Sequence, residues 1–476
     1  ESFCNVGVKL LIMNNKFLPI TKKEIDDLCW DYVDVIMVSG DAYIDHPSFG
    51  TAVIARVLEN LGLRVAIVPQ PNWQDDLRDF KKFGAPRLFF CVTAGNMDSM
   101  INRYTANKRL RSDDAYTPGG RPGARPDYAS VVYSKILKKL YPEIPVVLGG
   151  IEASMRRFSH YDYWSDSVFK PILCDSHADV LVYGMGEKPI VDIAMHALNY
   201  GKDSLLNDSV YRNLLMNINQ IAYMDDDYTY LEEDSYIILN SFEKVKSNKK
   251  LYADNFKVIE TESNKYETKV LIEPVEDKFL IVNKNNYPMT TEELDAVYDL
   301  PYTRLPHPKY AKKGEIPAYK MIHNSINIHR GCFGGCSFCT ISAHQGKFVV
   351  SRSKESIMRE VEKVTAMPDF GGTISDLGGP SANMYRMQGE NLEKCRKCSR
   401  HSCIFPTICN NLVFDHVPAL EIYKEAMNHK KVKNVFIGSG IRYDMFYPAD
   451  VNKAKKYKVF EYAEQVICKH TGGRLK

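Results

Sequence analysis

The sequence predicts an α/β protein in two parts: a doubly wound, parallel-sheet domain at the N-terminus, then a second, barrel-type series of strands and helices. Three observations predict it. Apolar, β-branched runs of strand length alternate with helical periodicities through residues 1–200. Glycine closes most of those runs. The alternation then restarts near residue 325, after a long stretch of weaker signals.

Taken in order, "VDVIMVSG" (33–40) reads as a buried strand and "TAVIARVLENLG" (51–62) as a helix stopped by Gly62. "LRVAIVPQ", "RLFFCVTAG", "IPVVLGGIEAS" and "ADVLVYGMGE" supply further strands, with the helix "YASVVYSKILKKLY" among them. In such sheets ligands gather at the carboxyl ends of strands. Those ends here carry Ser39-Gly40-Asp41, Gly95-Asn96, Gly149-Gly150 and Gly184 to Glu187. Asp41, Tyr43 and His46 are therefore expected as substrate contacts. "GMGEKP" departs from G-x-G-x-x-G and reads as a tight strand-to-helix turn. Residues 100–128, rich in Arg, Gly and Pro, form a long loop, functional or merely solvated.

Between 202 and 315 the signals weaken to short strands ("SYIILNSFEKV", "KVLIEP", "KFLIVNK"). A helix, "TTEELDAVYDL", is capped by Thr290 or Thr291 with Glu292 or Glu293, and an extended "LPYTRLPHPKY" follows. The second series runs "SINIHRG", helix "SKESIMREVEKV", strand "GTISDLGGP", helix "ALEIYKEAMNH", strand "VKNVFIGSG", helix "NKAKKYKVFEYAEQVICKH", and "GGRLK" as the start of a further strand. These signals divide the chain into 1–200, the doubly wound domain; 201–315, a linker or insert with short strands; and 316–476, an incomplete barrel.

Composition excludes several classes. The 476 residues are 45% hydrophobic and 25% charged, with a formal net charge of +3. That charge is too small to indicate nucleic acid or an anionic membrane. No run approaches the ~18 apolar residues of a membrane span. "VGVKLLIM" lacks a cleavage site, so no signal peptide is read, and a first residue of Glu suggests a fragment or processed chain. Seven of the 12 cysteines lie between Cys332 and Cys409, while Cys4, Cys29, Cys91, Cys174 and Cys468 are scattered. Clustering without a secretory signal points to a reduced, cytoplasmic setting and to metal or redox chemistry rather than disulfides.

The informative stretch is "HRGCFGGCSFCTIS". Cys332, Cys336 and Cys339 stand at C-x3-C-x2-C, two glycines fill the first gap, and Phe338 precedes the last cysteine. A structural zinc site wants four ligands. An iron–sulfur cluster held by three cysteines leaves one iron open to a small molecule, and glycines let backbone N–H groups reach the sulfides. A zinc ribbon would need its second cysteine pair about 15–20 residues on; the next pair, Cys395 and Cys398, lies far beyond. "CRKCSRHSCIFPTIC" adds a second candidate metal site, Cys395, Cys398, Cys403 and Cys409, fitting zinc or a further cluster alike, in a basic loop expected to cap the barrel mouth.

The C-x3-C-x2-C motif with its aromatic resembles the signature of the radical S-adenosylmethionine (radical SAM) superfamily. "DAYIDHPSFG", "VVLGGIEASMRR", "DAVYDLPY", "RGCFGGCSFC", "HQGK", "SRS" and "GSGIRYD" together resemble the YgiQ-type radical SAM proteins over nearly the whole chain. The resemblance implies an N-terminal domain shaped like a cobalamin-binding fold and a radical SAM barrel that here stops near its fourth strand. It implies a 4Fe-4S cluster on Cys332, Cys336 and Cys339 whose open iron binds SAM. Reductive cleavage then yields a 5′-deoxyadenosyl radical that takes hydrogen from a substrate, the electron coming from a donor such as flavodoxin or ferredoxin. It places Phe338 near the adenine and Gly378-Gly379 at the methionine amino group, although "GGP" lacks the glutamate many members carry. Ser439 and Arg442 become weaker SAM contacts. "DHPSFG" resembles the cobalamin motif D-x-H-x-x-G, but Pro47 occupies the histidine's place and His46 is one residue early, which argues against cobalamin. Two rivals follow: a cobalamin-dependent radical SAM methyltransferase, and a zinc-ribbon nucleic-acid binder using "KKLYADNFK"-type basic patches, which the small net charge disfavours.

Overall fold

The computed structural model describes residues 17–206, 215–447 and 450–470. The chain divides into two units: Glu1–Ile259 with Thr268–Asn286 and Leu300–Tyr319, and Glu260–Glu267 with Tyr287–Asp299 and Lys320–Lys476.

The first unit is built on one sheet of nine strands: β1 (Val35–Ser39), β2 (Val65–Pro69), β3 (Phe89–Thr93), β4 (Val146–Leu148), β5 (Val180–Val182), β6 (Ile221–Asp225), β7 (Tyr236–Ile238), β8 (Val270–Val275) and β9 (Lys278–Val282). Their order is β2-β1-β3-β4-β5-β6-β9-β8-β7. The first five are parallel, with Val35 level with Val65 and Phe89. Helices α1 (Gly50–Asn60), α2 (Ala129–Leu140) and α3 (Glu187–Tyr200) belong to this wound part. Every residue of β1 is buried, the unbroken apolar run a parallel strand needs when helices cover both faces.

The expected linker over 201–315 is corrected. β6 pairs antiparallel with β5, Leu181 opposite Ala222, and β9 and β8 follow as a hairpin, so these strands extend the first sheet. Pairing satisfies the backbone of β5, whose outer edge would otherwise be open. The hairpin turn escapes sequence reading because it uses Glu276 and Asp277, with Glu276 at φ 56°, where Asn-Gly or Asp-Gly is the usual signal. Residues 300–319 also belong to the first unit. The 100–128 loop is not merely solvated: Arg125 within it is 1% exposed and fastens it to the strand ends.

In the second unit α4 (Thr291–Asp299) opens on a reciprocal cap: Glu293 N donates to Thr290 Oγ1 at 3.2 Å and Thr290 N to Glu293 Oε2 at 2.7 Å. β10 (Ser325–Asn327) runs parallel to β11 (Asp376–Gly378), and Thr373–Ile374, just before β11, runs parallel to β12 (Asn434–Val435). Between and after these strands come α5 (Lys354–Thr365), α6 (Val417–Asn428) and α7 (Val459–Gln465). Ile326, Leu377 and Val435 bury against Ile357, Val361, Leu420, Tyr423 and Tyr462. Three strand–helix units are thus present. The strand expected at 472–476 and the "VGVKLLIM" stretch lie outside the described residues. Among the described residues no helix is long and apolar enough to cross a membrane.

Candidate functional site

The three-cysteine loop leaves β10 through His329 and Arg330. Two glycines in it are forced by close approach. Gly331 has φ 83°, and a Cβ there would meet the Phe348 carbonyl oxygen at 2.3 Å; Gly335 has φ 61°, and its Cβ would meet the His401 carbonyl at 2.9 Å. Cys332, Cys336 and Cys339 are half-buried free thiols. Burial, then the neighbouring thiols of Cys336 and Cys339, push the Cys332 thiol up. Arg442 Nη1 donates to Cys336 Sγ at 2.7 Å while its other nitrogens hold Asp444. The Asp444 hydrogen bond leads the causes that raise the Arg442 pKa, so the group on Cys336 is a cation.

Among the described residues no three His, Cys, Asp or Glu side chains are gathered as ligands of one ion. A four-iron cluster spreads its thiolates over separate irons, farther apart than a single ion's ligands. Three thiols in one another's electrostatic range, with a guanidinium on one sulfur, fit that group better than a one-ion cage.

The strand ends beside this loop carry the other expected residues. Ser439 follows β12 and its hydroxyl donates to Asp376, which also accepts from Gly438 N at 3.0 Å and Ser439 N at 3.3 Å. A Cβ on Gly378 would strike Ser439 Oγ at 2.6 Å and Asp376 Oδ1 at 2.7 Å; one on Gly379 would strike the His329 ring at 2.5 Å. Both glycines thus have a packing reason of their own. His329 is 1% exposed, and burial pushes its pKa down to about 3, so the ring is neutral. The structure therefore joins Arg442 to Cys336 and Ser439 to Gly378. Phe338 stands apart on the loop surface, 89% exposed. Sequence reasoning misses Asp376 and His329; their position flanking "GG" and "RGC" is the available signal.

The second cysteine loop does not simply cap a barrel mouth; it lies on the first. Ser402 Oγ is within hydrogen-bond range of the Phe333 and Gly334 carbonyls at 3.1 and 2.9 Å, and Cys403 N donates to Phe333 O at 3.1 Å. Cys395, Cys398, Cys403 and Cys409 are half-buried and free. Burial pushes the Cys403 thiol up to about 11, against the pull of Lys347. Lys347, in "HQGK", is a member of this group that the sequence does not single out.

At the strand ends of the first unit, Asp41, Tyr43 and His46 are 3%, 1% and 0% exposed, which corrects their reading as open substrate contacts. Arg125 pairs with Asp41 at 2.8 Å and with Asp114 at 3.2 Å. Burial pushes Asp41 up to about 6, Arg125 opposing. The Tyr43 hydroxyl accepts from Leu18 N at 3.4 Å, and His46 Nδ1 accepts from Ser48 N at 3.1 Å. "GMGEKP" is the expected turn, with Gly186 leading into α3.

A family model described as "Radical SAM N-terminal" matches residues 17–325. A UPF0313 protein of Bacteroides thetaiotaomicron is 57% identical over 462 residues, 97% of this chain and 74% of that protein. One from Porphyromonas gingivalis is 52% identical over 464 residues, covering 97% and 71%. One from Vibrio parahaemolyticus is 43% identical over 506 residues, covering 97% of this chain and 63% of its own length. Among solved structures, the radical S-adenosylmethionine methyltransferase TsrM from Kitasatospora setae, bound to tryptophan and a SAM analogue, shares 16% identity over 74% of this chain and 48% of its own, with a TM-score of 0.39. The same enzyme with cobalamin and a [4Fe-4S] cluster gives the same score over 73% and 47%. So slight a likeness decides nothing about a corrinoid here, for or against.

Proposed function

The chain belongs to the radical SAM N-terminal family and to the UPF0313 proteins, and on that premise we propose that Cys332, Cys336 and Cys339 hold the cluster of a SAM-cleaving, hydrogen-abstracting enzyme. The family implies a radical SAM enzyme using a 4Fe-4S cluster and SAM. When bound, the cluster supplies the electron that splits SAM to methionine and a 5′-deoxyadenosyl radical, which takes hydrogen from the substrate. A small one-electron donor such as flavodoxin or ferredoxin provides the electron.

The chain's own residues do the rest. Arg442 donates to the Cys336 sulfur and would put positive charge beside the cluster. Gly378 and Gly379 would offer backbone to the methionine amino group, Ser439 is held by Asp376 at the same edge, and the exposed ring of Phe338 would serve the adenine. The three strand–helix units are read as part of a radical SAM barrel. The observation that carries the reading is the guanidinium of Arg442 on the sulfur of Cys336, within a loop of three thiols at a strand's carboxyl end.

The test is anaerobic reconstitution, reduction, and electron paramagnetic resonance with and without SAM, with iron, zinc and 5′-deoxyadenosine counted on the same sample. A four-iron signal that changes with SAM, and vanishes in Cys336→Ala, supports the reading. Zinc without iron overturns it. A corrinoid would show in the visible spectrum of the protein as isolated.

A further inference from the structure

We propose that Cys395, Cys398, Cys403 and Cys409 hold an iron–sulfur cluster, whose thiolates stand farther apart than the ligands of a single ion, and that its buried counter-charge is the ammonium of Lys347. Two observations carry it independently. The first is the thiols themselves. Four fall in 15 residues, and none is in a disulfide. Cys398 N donates to Cys395 O at 3.1 Å and Cys409 N to Cys403 O at 2.7 Å, turns that bring the backbones of each pair together. The pairs are close enough to feel one another: Cys403 lies within electrostatic range of the other three, and Cys395 of Cys398 and Cys409. Asn411 Nδ2 lies 3.3 Å from Cys395 Sγ, a donor aimed at a sulfur that serves a thiolate better than a thiol.

The second is Lys347. It is 2% exposed, its ammonium donates to the Arg400 carbonyl at 2.7 Å, and among the described residues no carboxylate pairs with it. Buried charges are costly unless paired. The groups its charge faces are Cys403 and Cys395. Neutral thiols offer an ammonium little. Four thiolates on a four-iron cubane carry net negative charge, which is what this cation lacks. On binding, each thiol gives its proton to solvent and its sulfur to the metal.

This centre is independent of the radical SAM reading and is tested without it. In a Cys332→Ala/Cys336→Ala/Cys339→Ala variant, reconstituted anaerobically, about four equivalents of iron with matching sulfide should remain. Further Cys395→Ser and Cys403→Ser changes should remove it. Iron with matching sulfide supports the centre; zinc alone, or neither metal after supply of both, overturns it. Should the combined variants fail to fold, thiol alkylation of the wild-type protein decides the same question. A chelator should expose four further thiols in the 395–409 peptide, and four already reactive before chelation refute the centre. Lys347→Met should lose metal to chelator several-fold faster than wild type, and Lys347→Arg should not.

Discussion

In the first unit, three buried arginines meet carboxylates: Arg125 meets Asp41 and Asp114, Arg56 meets Asp45, Arg156 meets Asp98. In the second unit, the cations beside the cysteines meet sulfur: Arg442 touches Cys336, and Lys347 faces Cys403 and Cys395. Away from the cysteines the second unit follows the same rule as the first, pairing Arg352 with Glu360. The difference is therefore local. In the first unit Asp41, Asp45 and Asp98 have their counter-charges within the protein itself. Around the clustered cysteines the cations lie by sulfur instead of carboxylate, and the proposed chemistry is placed there.

The sharpest way to break this contrast is Cys336→Ala. Removing the sulfur under Arg442 should abolish SAM cleavage outright, while the thermal unfolding of the first unit stays unchanged. Retained 5′-deoxyadenosine formation would mean that the sulfur does not hold the cluster. Next in size is Arg125→Met. It strands two buried carboxylates, and breaking a buried pair from one side costs about 3–5 kcal/mol. Chemical denaturation should show the loss in the first unit's transition, with iron content of the reconstituted protein unaffected. An unchanged midpoint would mean that the ion pairs do not brace the first unit.

How far each region is legible in the sequence follows from the same contrast. The strands β1 to β5 can be read because burial on both faces demands unbroken apolar runs, and α4 because its cap uses the standard Thr and Glu. The strands β6 to β9 read wrongly as a linker, since nothing in "KVLIEPVEDKFLIVNK" says which sheet its edge will join, and Glu276-Asp277 hides the turn. The cysteine loop stands out in the sequence by its spacing alone. Its neighbours do not. Ser402 lies 69 residues from the carbonyl of Phe333, and Arg442 lies 106 from Cys336; such pairings are set by the parallel register of β10, β11 and β12, not by local pattern. Asp41 reads as an open contact because strand ends usually are; Arg125, deep in an apparently solvated loop, covers it.

A milder probe of the second unit is Arg442→Met. The cluster cysteines remain, so iron content should hold. Losing a cation and a hydrogen bond at Cys336 should move the cluster midpoint to more negative potential and slow SAM cleavage roughly tenfold, as loss of an outer partner typically does. A midpoint unmoved in redox titration would separate Arg442 from the cluster.

The smallest effect tests the exception within the first unit. Glu273, on β8, is 1% exposed, and its carboxyl accepts from Ser159 N at 2.9 Å. No arginine or lysine is among the leading influences on it; Glu243 is, and burial with that like charge pushes its pKa up from 4.5 to about 7. The sign follows from linkage. Between these two values the folded state holds the proton and the unfolded chain has released it, so stability falls as pH rises from about 4.5 to about 7 and stays reduced above. Gln keeps an acceptor for Ser159 N and has no proton to lose. Glu273→Gln should therefore match wild type near pH 4 and exceed it above pH 7 by roughly 1–3 kcal/mol. Urea denaturation across that range reads the difference directly. Parallel curves at every pH would show that Glu273 is ionised without cost, and that this unit tolerates an unpaired buried charge as readily as the second.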